Sequence, residues 1–137
     1  MPYWKCFYHA IWSTYKREPV ITDALEKVIF EAIRAKTRTL KGEVFAINGI
    51  EDHIHVAVSF PPHVAGAEWI RIMKGLSAHN VNDSFPNLES RFRWQQGYGL
   101  LTFGTKALPN VVACVEQQKA HHANKTTNAY LEQTDDE

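Results

Sequence analysis

Two strand-like stretches, Val44–Ile50 and His53–Phe60, are separated only by Glu51 and Asp52. A connection that short leaves an antiparallel hairpin as the way to pair them. The second stretch alternates. Ile54, Val56, Val58 and Phe60 share one face, and His53, His55, Ala57 and Ser59 share the other. The apolar set must look into a core, so other elements have to cover that side. Asn48-Gly49 suggests a bulge or part of the turn, and Pro61-Pro62 stops the second strand.

The flanking segments supply the cover. Cys6 to Tyr15 is aromatic and β-branched and reads as a strand. After Pro19, Thr22 is placed as a helix N-cap, with Asp23 and Glu26 in the first turn. Leu25, Val28, Ile29, Ala32 and Ile33 follow at helical spacing, Arg34, Lys36 and Arg38 suit the C-terminal end, and Gly42 closes the segment. A second helix is expected from about Val64 to Val81, with Trp69, Ile72, Met73 and Leu76 as its buried stripe and a polar loop at Asn82 to Asn87. Phe92 to Phe103 reads as one or two strands interrupted by Gly97 and Gly99, and Pro109 opens a last helix, Asn110 to about Asn124. The order β-α-β-β-α-β plus a helix predicts an α+β, ferredoxin-like split βαβ: an antiparallel sheet with two helices on one face and a C-terminal helix. The other face is left for function or for that third helix.

At 137 residues and 45% hydrophobic content, one domain over 1–131 can bury a core, with 132–137 a frayed acidic tail. Fifteen basic and fifteen acidic residues balance, but Glu132, Asp135, Asp136 and Glu137 leave the body mildly basic. That neither demands nor excludes a nucleic-acid partner. No apolar run approaches a membrane span, and Met1-Pro2-Tyr3-Trp4-Lys5 has no signal-peptide core, so a cytoplasmic location with Cys6 and Cys114 as free thiols is expected.

His53 and His55, about 6.6 Å apart along one strand face, could flank a divalent metal. They could equally form a solvated polar face. On the last helix, Cys114 and Gln118 are one turn apart, followed by His121 and His122, but small core residues and solvent-facing polar ones give the same pattern. Trp94, Gly97, Tyr98 and Gly99 could stack bases or simply build a strand and turn. Arg34, Lys36, Arg38 and Lys41 could track a phosphate backbone or merely solvate a helix end.

Taken together, the ordered set resembles the single-tyrosine transposases of insertion sequences that carry a His-hydrophobic-His (HUH) motif, in their repeat-associated branch. The resemblance spans about Tyr8 to Glu132. It is carried by Tyr8-His9-Ala10-Ile11-Trp12-Ser13-Thr14, by Pro19, by Asp52-His53-Ile54-His55-Val56, by Trp69 to Ser77, by Trp94-Gln95-Gln96-Gly97-Tyr98 with Thr102, and by Cys114 to His122. It implies a dimer acting on single-stranded DNA with a hairpin. It also implies magnesium or manganese held by His53, His55 and Gln118, and a tyrosine that attacks the phosphate to leave a 5′-phosphotyrosine. Cys114 stands where that tyrosine is expected, and neither Tyr98 nor Tyr130 is an obvious replacement. Either the chain has lost strand cleavage while keeping metal and DNA, or Cys114 has taken over some chemistry. Two rival classes are a non-catalytic nucleic-acid-binding module derived from a transposase and a small metal-binding enzyme unrelated to DNA.

Overall fold

The structure, a computed structural model, describes residues 3–123, with side chains through Ala120. The acidic tail and Tyr130 lie outside the described residues, as do the side chains of His121 and His122.

The chain runs β1 (Phe7–Ser13), α1 (Asp23–Thr39), β2 (Glu43–Ile50), β3 (His53–Ser59), α2 (Gly66–Ser84), β4 (Gly99–Phe103), α3 (Leu108–Glu116) and α4 (Gln118–Ala123). The sheet order is β2-β3-β1-β4 and every pairing is antiparallel. This is the expected split βαβ plan. Strand parity assigns the two faces. Ala10, Trp12, Ile47, Ile54, Val56, Val58 and Phe60 pack with Leu25, Ile29 and Ile33 of α1 and Trp69, Ile70 and Met73 of α2. On the opposite face Ala46 and Ala57 pack with Val115 of α3, and Phe45, Val111 and Val112 surround them. The second face therefore carries a smaller apolar layer of its own.

Local chemistry accounts for most boundaries. The Thr22 hydroxyl accepts the Leu25 N–H and caps α1, with Asp23 and Glu26 in the first turn favouring the helix dipole. After the helix it is Lys41, at φ 69°, that takes the left-handed turn, and the Gly42 N–H reaches back to the Thr37 carbonyl. Helix α2 starts later and runs longer than its hydrophobic pattern suggests. Asn82, expected in a loop, stays helical because its side chain bonds the Ala78 carbonyl and both backbone groups of Phe92. Its buried stripe is Trp69, Ile70, Met73, Ser77 and Val81, with Ile72 only partly covered.

The bulge falls at Phe45, between the Val44 and Ala46 pairings, rather than at Asn48-Gly49, which lie within β2. Gly49 is nonetheless required, since a Cβ there would meet the His53 carbonyl and the Ile54 Cα of β3. Of Phe92 to Phe103 only Gly99–Phe103 is strand, and Trp94 makes an isolated bridge to Thr14. The single last helix is a pair, broken at Gln117.

Candidate functional site

Register along β3 fixes the site's floor. His53 pairs with Ser13 of β1 and Ile50 of β2, and His55 pairs with Ile11 and Asn48. Both histidines stand on the second face, opposite α1 and α2, as the alternation requires. They are not a solvated surface: each is 1% exposed. The reason is tertiary. Helices α3 and α4 lie across this face, and strand periodicity carries no information about a helix sixty residues away.

Each buried imidazole has its Nδ1 engaged. His53 Nδ1 donates to Asp52 Oδ1 at 2.7 Å, and Arg17 Nε approaches the other carboxylate oxygen at 3.6 Å. The bond from His53 holds the Asp52 carboxyl below the usual carboxylate range, against the opposing effect of burial, with Arg17 helping. His55 Nδ1 lies 2.9 Å from His9 Nε2 on β1. With Nδ1 carrying the proton, a neutral imidazole presents its lone pair at Nε2, the arrangement that second-sphere partners impose on metal-ligating histidines.

Gln118 reaches the same face from the α3–α4 junction. The junction is tied to the sheet where Asn48 Nδ2 donates to the Glu116 carbonyl at 2.9 Å, Asn48 being the residue paired with His55. Lys119 Nζ adds bonds of 2.8 Å to Asn48 Oδ1, 2.9 Å to the Gly49 carbonyl and 2.9 Å to Glu26. Gln118 is 3% exposed. Its Nε2 donates to the Cys114 carbonyl at 3.2 Å, while its buried Oε1 has no hydrogen-bond partner among the described residues. An orphaned buried acceptor costs roughly 1–3 kcal/mol, and a hard cation would satisfy it. No cluster of three or more His, Cys, Asp or Glu side chains suited to a metal occurs among the described residues, so a third protein ligand has to be of another type, as Gln118 is.

The remaining expected residues fall in three places. Cys114 is half-buried on α3, one turn before Gln118 and joined to it through its carbonyl. Tyr98, 40% exposed, precedes Gly99, which pairs with Ile11, the neighbour of His55 across the sheet. Of the two readings open for Trp94, base stacking or ordinary strand packing, its surroundings fit the second. It packs edge-on against Trp12 and Phe92, and its Nε1 donates to Ser77 Oγ at 2.9 Å. Arg34, Lys36 and Arg38 sit on α1, beyond the sheet from the histidines, where Arg34 and Arg38 line a shallow concavity with Gly42, Glu43 and Val44. A cleft of about 360 Å³ beside the β1–α1 loop, lined by Tyr15, Pro19, Leu25, Phe92 and Arg93, includes none of the histidines. His9, Asn48 and Lys119 were not singled out by their local sequence. The one available signal was His9, a polar residue between Phe7 and Ile11 on the second face of β1.

Residues 2–118 match the family described as IS200-like transposases. The chain is similar to the ISDra2 transposase TnpA of Deinococcus radiodurans, 24% identical over 115 residues covering 81% of this chain and 82% of that one. Its fold is similar to the crystal structure of a transposase from Deinococcus radiodurans R1, with TM-score 0.69 and 23% identity over 86% of this chain and 95% of that one. It is also similar to the REP-associated tyrosine transposase bound to a REP hairpin, with TM-score 0.65 and 14% identity over 93% of this chain and 76% of that one.

Proposed function

The chain belongs to the IS200-like transposase family, and from that premise we propose that it binds hairpin-bearing single-stranded DNA at a divalent-metal site formed by His53, His55 and Gln118, and that Cys114 leaves it unable to cut the strand it holds. The observation carrying the metal assignment is the buried Gln118 Oε1, without a hydrogen-bond partner among the described residues, on the same face as two histidines whose Nδ1 atoms are engaged elsewhere. Two imidazole nitrogens and one amide oxygen suit magnesium or manganese, with water and phosphate completing the shell. Such an ion, when bound, would polarise the scissile phosphate.

The chain's own residues do the rest. Asp52 and His9 orient the two imidazoles. The Asn48 and Lys119 bonds hold Gln118 against the sheet, and the exposed ring of Tyr98 offers a surface for an unpaired base. The hairpin in the similar REP-associated transposase supports the substrate class. Arg34, Lys36 and Arg38 can contact only a strand that continues round to the helical side.

In the resembling family the nucleophile at the Cys114 position is a tyrosine. Its oxygen bonds to phosphorus, the P–O3′ bond breaks, and the 3′-oxygen leaves with the proton the phenol gives up. Cys114 is shorter than tyrosine by about a ring width, which takes its sulfur away from near-attack distance, and soft sulfur is poorly matched to phosphorus. The test is a titration of manganese, then of a pool of single strands with a short hairpin and randomised flanks, into the parent and the His53→Ala/His55→Ala double variant. The parent binds both ligands and the variant loses manganese. Equal manganese binding by the two proteins would remove the site assignment. Hairpin binding that is indifferent to metal and to both histidines would make the chain a non-catalytic nucleic-acid-binding module.

A further inference from the structure

We propose that His9 is a positioning residue: it accepts the His55 Nδ1–H and so holds His55 in the tautomer whose Nε2 lone pair faces the site, an inference that rests on the metal-site reading above. His9 lies on β1, opposite Ala57 and diagonal to His55, with its Nε2 2.9 Å from His55 Nδ1. It is 4% exposed, so water is a poor substitute for this contact. One proton fits between the two nitrogens. If His9 donated it, a neutral His55 would carry its own proton on Nε2, and that nitrogen could ligate nothing. If His9 accepts, Nε2 presents the lone pair.

Asp52 does the same for His53, but an aspartate can only accept. His9 can do either, so the competence of His55 depends on the His9 tautomer in a way that the competence of His53 does not depend on Asp52. Chemistry also favours a neutral acceptor here. Ile11 pairs with His55 and Leu101 with His9, and a carboxylate buried beside them would cost far more to desolvate than a neutral imidazole. His9 cannot itself be a ligand through Nε2, because that atom is already on His55.

The experiment is ring-nitrogen NMR of the metal-free full chain at about pH 8, where neutral imidazoles dominate, on the parent, His9→Gln and His9→Leu. Glutamine can return an acceptor near the Nε2 position, whereas leucine cannot. The parent and His9→Gln show His55 protonated on Nδ1, and His9→Leu shows it protonated on Nε2. In parallel, manganese affinity falls about tenfold or more in His9→Leu and stays near the parent value in His9→Gln. A parent spectrum with the proton on Nε2 of His55, or a His9→Leu spectrum that keeps it on Nδ1, overturns the proposal. Should His9→Leu not fold, the parent spectrum decides alone. A parent with the expected tautomer and no manganese affinity removes the metal reading and leaves the tautomer assignment standing.

Discussion

His55 has to satisfy its neighbours before it can serve a ligand. It is buried between Ala57 and His53 on the strand, paired with Ile11 and Asn48, and hydrogen-bonded to His9. Alternation in β3 was enough to place it beside His53 on the correct face. Its burial was not legible, because the helix laid over this face, α3, is remote in sequence, its Val115 packing on Ala46 and Ala57 of adjacent strands. A solvated histidine could be deleted at little cost, and this one cannot. His55→Ala removes a buried hydrogen-bonded ring together with its bond to His9, which is expected to destabilise the fold by roughly 1–3 kcal/mol. Urea unfolding of the metal-free protein checks it. A change indistinguishable from zero would mean that this face is open.

At the scale of elements, hydrophobic periodicity recovered β1, α1, the β2–β3 hairpin and most of α2, since each has a strong one-sided pattern. It erred where side chains bond the backbone. Asn82 extends α2 by capping onto Phe92, and the break at Gln117 divides α3 from α4 while Lys119 fastens α4 to β2. Another tie of this kind is Lys74, whose Nζ reaches from α2 to the carbonyls of Gln95 at 2.6 Å and Gly97 at 2.9 Å, fixing the loop that leads to Tyr98. Burial holds its ammonium below the usual lysine range. The unfolded chain therefore binds this proton more tightly than the folded one, and stability rises with pH between the folded and unfolded values. Relative to Lys74→Met, the parent should gain stability as pH rises toward the ordinary lysine range of about 10. Parallel denaturation curves across that range test it, and a gap that shrinks with rising pH contradicts the assignment.

On the scale of the whole molecule, the sheet ends in two edges, β2 and β4, whose outer backbone groups have no partner strand among the described residues. Such edges invite pairing with a second copy, and we expect a symmetric dimer at micromolar concentration. Light scattering that returns the mass of one chain, 15.7 kDa, would count against it. No helix among the described residues is long and apolar enough to cross a membrane. A metal and DNA site is proposed to persist here around a position that lacks its nucleophile. The most direct measurement is a denaturing gel of the parent and Cys114→Tyr, each incubated with manganese and the labelled hairpin pool. No covalent band is expected from the parent, and a metal-dependent protein–DNA band is expected from Cys114→Tyr. A covalent band from the parent, or none from a Cys114→Tyr protein that binds the same DNA and manganese, would contradict it.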